Sequence, residues 1–103
     1  MNTSVNELTE ASVQSLEFKG DALVVYLSDA RTLSVPLAWY PRLYHGKPHE
    51  RENYRLIAEG KGIHWPDLEE DISVAGMLMG RPSAESQASL SKWLDARAGQ
   101  DEP

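Results

Sequence analysis

Apolar residues recur at every second position through residues 13–35, and the spacing predicts a meander of three strands. In VQSLEF, Leu16 and Phe18 share one face. ALVVYL is apolar on both faces, Leu23, Val25 and Leu27 against Val24 and Tyr26, which predicts the central and most buried strand. RTLSV alternates cleanly, with Leu33 and Val35 inward and Thr32 and Ser34 outward. That alternation suits an antiparallel sheet with one solvated side. Lys19-Gly20-Asp21 and Ser28-Asp29-Ala30 form the turns, and Gly20 can take a positive φ there at little cost.

The pattern then changes period. Pro36 cannot donate to a ladder and closes the third strand. Leu37, Tyr40, Leu43 and Tyr44 have helical spacing, but Pro41 would break a continuous helix. The expectation is a turn over 36–39, one helical turn from Pro41 stopped by Gly46, and a further short helix from Pro48 to Asn53. YRLIA (54–58) reads as a fourth strand, Glu59-Gly60-Lys61-Gly62 as a hairpin-type turn, and Ile63-His64-Trp65 as a fifth strand ended by Pro66. Residues 67–71 read as an acidic loop. Ser73 is placed to cap a helix over 74–79, where Val74, Met77 and Leu78 make an i, i+3, i+4 face, and Gly80 is its stop. A terminal helix is expected over 83–98, with Ser83 as its cap and Leu90, Trp93 and Leu94 as a narrow apolar stripe. The fold class is therefore α+β: an antiparallel sheet of about five strands, meander plus hairpin, with short helices on one face. Its parts are a flexible N-terminal segment at 1–12, a single domain at 13–80, and a C-terminal helix and tail at 81–103.

Composition narrows the function. The 103 residues suit one domain, and 41% hydrophobic with 25% charged residues is a globular balance. The net charge of −6 disfavours nonspecific attraction to phosphate backbones. Without cysteine there is no thiol chemistry, disulfide or thiolate metal site, which fits a cytoplasmic protein. No apolar run approaches the ~20 residues of a membrane span, and the polar N-terminus has no leader pattern.

The candidate chemistry is sparse. His45 and His49 are four apart, but Gly46 and Pro48 between them oppose the helix that would align them on a metal. His64 faces away from Ile63 and Trp65, so it can pair with Asp67 or Asp71, either as a base or as a structural contact at a strand end. Asp67, Glu69, Glu70 and Asp71 lack the spacing of a calcium loop; a solvated loop or an acidic patch steering a basic partner are the readings they allow. Gly60-Lys61-Gly62 lacks the spacing of a phosphate loop. Arg42, Lys47, Arg51 and Arg55 concentrate basic charge with Tyr44 and Tyr54 interleaved, as a nucleic-acid surface or a mixed solvated face would. Trp39, Tyr40 and Tyr44 supply core rings or interface anchors.

Two stretches together, LSVPLAWYPRL (33–43) and GIHWPDLEEDISVAGML (62–78), resemble the bacterial family known as domain of unknown function 2442. The similarity runs from about Val13 to Gly80, and its most specific part is Ile63-His64-Trp65-Pro66 followed by acids and a capped helix. The resemblance implies a small α+β domain, in some members joined to a DNA-binding helix-turn-helix and in others suggested as the antitoxin-like half of a pair with a toxin-like protein. It carries no catalytic residue and no cofactor. Beyond Gly80 the sequence has length for one terminal helix, not for a helix-turn-helix.

The first functional expectation is a non-enzymatic protein-binding or regulatory module, antitoxin-like, using Trp39, Tyr40, Tyr44, His64, Asp67, Glu69, Glu70 and Asp71 as its interaction surface. One alternative is a small-ligand or hydrolytic domain built on His64 and its neighbouring carboxylates. The other is a nucleic-acid-binding accessory domain built on the segment from Arg42 to Arg55. Three tryptophans and four tyrosines, with an open sheet edge, lead us to expect a homodimer when no other partner is present.

Overall fold

The computed structural model describes residues 11–101; the N-terminal segment expected to be flexible lies almost wholly outside them. In chain order the elements are β1 (Val13–Lys19), β2 (Ala22–Leu27), β3 (Thr32–Pro36), a 3-10 turn (Leu37–Trp39), α1 (Pro41–Tyr44), α2 (Pro48–Glu52), β4 (Arg55–Ile57), a second 3-10 turn (Ala58–Gly60), β5 (Gly62–Trp65), β6 (Glu70–Ser73), α3 (Val74–Leu78) and α4 (Gln87–Asp101). The class is α+β as expected. The strands, however, form two antiparallel sheets, β1-β2-β3 and β4-β5-β6, not one sheet of five. Pro36, Pro41 and Pro48 punctuate the segment between them, so the chain detours through short helices and β4 starts a new ladder. The acidic loop expected at 67–71 is also corrected: its second half begins β6, which pairs with β5 in the register Ile63 to Ile72 and Trp65 to Glu70.

The meander is as the alternation predicts. β2 lies between β1 and β3, with Val25 opposite Leu16 on one side and Leu33 on the other. Leu23 and Val25 are fully buried. One apolar cluster joins both sheets and the helices, including Leu23, Val25 and Leu27 of β2, Leu37, Leu43, Ile63, Trp65, Leu68, Val74 and Met77. The turn into β5 closes against the start of β1: at Gly60, with φ 85°, a Cβ would stand 2.9 Å from that of Ser12. Glu59 precedes it with φ 58°, and the left-handed 3-10 turn so formed joins β4 to β5 as an antiparallel hairpin.

Trp65 ties the second sheet to the helical segment. Its indole Nε1–H donates to the Arg51 carbonyl at 2.9 Å. The Arg51 guanidinium in turn donates to the carbonyls of Leu43 at 2.8 Å and Tyr44 at 2.9 Å, at the end of α1 where the carbonyls lack full helical pairing; the Leu43 carbonyl also accepts from the Gly46 N–H at 3.1 Å.

The terminal helix starts at Gln87, later than the Ser83 cap implies. Ser86 Oγ accepts from the Ser89 N–H at 3.1 Å and so occupies the capping position. Glu85 is held instead by Arg42, whose Nη2 donates to it at 2.7 Å. A second pair, Arg97 to Glu50, is bidentate at 2.9 and 2.7 Å. Both guanidinium groups lie over the Trp93 ring, with their carbons 4.9 Å (Arg42) and 4.5 Å (Arg97) from its centroid. Hydrogen bonding from Arg97 holds the Glu50 carboxyl well below its usual 4.5, at about 2. A carboxylate depressed in the fold stabilises it fully above its unfolded value and loses that contribution as pH falls through the folded one. Trp93 fluorescence is therefore expected to hold steady above pH 4.5 and change between 4.5 and about 2 as α4 undocks. An unchanged signal across that window would show that the pair does not hold the helix.

Candidate functional site

The part of the surface with the most chemical character lies along β6. Leu68, Ile72 and Val74 alternate into the core at 0%, 6% and 1% exposure. The same alternation brings Glu70 inward, where it is half-buried. The Val74 N–H donates to the Lys61 carbonyl at 2.9 Å, so 61 and 74 form a hydrogen-bonded pair of the ladder. Antiparallel alternation then turns the backbone N–H groups of Asp71 and Ser73 away from β5, toward the open edge. Glu70 Oε1 accepts from that Asp71 N–H at 3.0 Å and blunts the edge.

A groove of ≈370 Å³ runs beside this edge, with Ala75, Gly76, Met79 and residues 81–84 completing its lining and Tyr40 in its wall. That size falls in the range of roughly 300–1,000 Å³ typical of ligand clefts. Residues 79–84 are held by the Ser83 N–H, which donates to the Trp39 carbonyl at 2.9 Å. Tyr40 is 3% exposed, and its hydroxyl has no hydrogen-bond partner among the described residues. A buried polar group left in that state is uncommon in folded proteins. Burial pushes the Tyr40 hydroxyl above its usual pKa, and the charge of Glu70 adds to the effect, so the two groups sense each other. Burial likewise raises the Glu70 carboxyl; the Asp71 N–H and Arg42 oppose this, and Glu85 and Asp71 reinforce it. Arg81 is exposed on the lining and makes no ion pair among the described residues.

The residues expected at an interaction surface are thus distributed. Tyr40 is buried and cannot serve as an exposed anchor, because its ring completes the core. Trp39 is partly buried and Tyr44 is 52% exposed. His64 stands directly opposite Asp71 across the ladder, with Nδ1 2.6 Å from Oδ1. Asp67 pairs instead with Asn53, which donates Nδ2–H at 2.9 Å. Glu69 lies 3.4 Å from Arg42 Nη1. Glu70 and Asp71 alone of the acids join the groove, together with Tyr40. Arg81 and Ser73 are groove residues that the sequence reading passed over. Of the basic set, Arg42 and Arg51 are engaged in the internal contacts described above. Among the described residues no group of three or more His, Asp or Glu side chains is arranged to hold a metal ion, and no helix is long and apolar enough to cross a membrane.

Fold and site define a small α+β domain of paired three-stranded sheets with an acidic groove beside an open strand edge. The chain belongs to the family described as protein of unknown function DUF2442, whose profile matches residues 13–83. The match confirms the resemblance carried by the 33–43 and 62–78 stretches. A protein of unknown function from Rhodospirillum rubrum has a similar fold, with a TM-score of 0.64, 19% identity, and coverage of 79% of this chain and 98% of its own. An uncharacterised protein from Chromobacterium violaceum, determined in solution by NMR, superimposes with a TM-score of 0.65 and 21% identity over 92% of this chain and 84% of its own. A search of curated proteins returns no match.

Proposed function

We propose that this chain is a protein-binding module that acts without catalysis and docks its partner in the groove beside β6. The observation that supports this most is the groove itself: an open strand edge, a half-buried carboxyl and an unpartnered tyrosine hydroxyl meet in one place. Recognition of extended segments at sheet edges is a common mode of protein binding. The His64–Asp71 pair supports structure more than turnover, since its two side chains face each other across a ladder and no hydroxyl side chain hydrogen-bonds to either among the described residues. An acidic module of this kind suits a regulatory, antitoxin-like role toward a basic partner.

The test is affinity capture from the native host with the wild-type chain and with Ala75→Trp. Ala75 is exposed and lines the groove, so the indole fills the groove without entering the core. A specific protein retained by the wild type and lost by the variant is the expected result. Equal retention by both would contradict the groove as the docking site. With no partner present we expect two copies to pair, with Met79 of the groove lining, 63% exposed, in the contact. Light scattering over a concentration series then gives twice the chain mass of 11.5 kDa. A constant mass of 11.5 kDa would leave a monomer that waits for its partner.

A further inference from the structure

We infer that the groove receives a lysine or arginine side chain carried on an extended segment of the partner; this rests on the binding-module reading above. The argument is one of unused oxygen atoms. Glu70 spends Oε1 on the Asp71 N–H, and its second oxygen has no partner among the described residues. The Tyr40 oxygen has none either. The Tyr40 hydroxyl is the buried one of the two, and a polar group buried without a partner costs free energy that a ligand can restore by supplying the missing hydrogen bond. Two oxygens on residues of one groove lining, one of them a carboxylate's, call for a multiple donor, and an ammonium or guanidinium group is one.

Charge points the same way. Glu70 and Asp71 line the groove against Arg81, while Glu69 and Glu85 lie nearby. Arg42, whose charge reaches Glu70, is already held by Glu85 at 2.7 Å and is not free to neutralise it. The whole chain carries −6, so a basic partner also gains a favourable encounter. An extended carrier fits because the edge turns the Ser73 N–H and the Asp71 carbonyl outward, next to the carboxyl. Arg81 on the same lining disfavours a second basic residue close by, which makes a single basic residue flanked by neutral ones the best match.

The experiment is an NMR titration of the isotope-labelled full chain with the blocked peptide acetyl-Ser-Val-Lys-Val-Ser-amide. Controls are the same peptide with norleucine at the centre, and N-acetyl-lysine methylamide. The lysine peptide is expected to shift the amides of Asp71, Ser73 and Gly76 and to bind roughly tenfold tighter than the norleucine peptide. Tyr40→Phe removes only the unpartnered hydroxyl, so it should keep the melting temperature and weaken the lysine peptide alone. Glu70→Gln should weaken it further. Equal binding of the two peptides, or no shift at those amides, overturns the inference. So does binding of the lysine amide as tight as that of the peptide, which would mark a small-amine site. If host capture still depends on Ala75 while the lysine peptide fails, the basic side chain is wrong and the binding module stands. If capture is indifferent to Ala75, the module reading itself fails.

Discussion

Val25→Asp abolishes the cooperative thermal unfolding transition. Val25 is fully buried in the middle of β2 and faces Leu16 and Leu33 across two ladders. No cation is buried in that core to receive a carboxylate, since the described buried residues include nothing charged. An unpaired buried charge costs several kcal/mol even after relaxation, against a total stability of about 5–15 kcal/mol for a domain. Circular dichroism should report a chain without a melting transition. A variant that melts like the wild type would show that β2 is not central to stability.

The second large effect is Trp65→Ala. The ring is fully buried and belongs to the cluster that joins both sheets. Truncation leaves a cavity and frees the Arg51 carbonyl that the indole N–H satisfies, and the expected loss is about 3–5 kcal/mol. The neighbouring substitution His64→Ala is the contrast. It breaks a cross-strand pair in which Asp71 is 66% exposed, and such pairs are worth about 1 kcal/mol or less. Chemical denaturation of both variants separates the two. Equal losses would mean that the histidine pair, and not the tryptophan, organises this sheet.

These effects were legible because they rest on short-range patterns. Period-2 alternation located β2 and its inward face, and the odd positions of Ile63-His64-Trp65 located the buried ring. Prolines at 36, 41 and 48 divided the middle of the chain where the helices now divide. Other features were harder to read. Whether the hairpin joins the meander or forms its own sheet depends on where a helical detour delivers the chain, and no local pattern encodes that. β6 was concealed by composition, since Glu70 and Asp71 are poor strand formers and the strand has only four residues. A signal did exist: Leu68, Glu70, Ile72 and Val74 alternate with period 2, and the acid in that inward series is the residue that lines the groove. The groove escaped notice because Tyr40, Glu70 and Arg81 are far apart in sequence. Tyr40 read as an exposed anchor because its aromatic neighbours concealed which ring the core would take.

The central claim is that this domain binds a protein through the groove beside β6. Amide hydrogen exchange of the chain, free and bound to its captured partner, tests it most directly. Slowed exchange confined to residues 70–84, with the meander unchanged, is the predicted result. Slowed exchange at the exposed β4 edge, with the groove left as open as in the free chain, would contradict it.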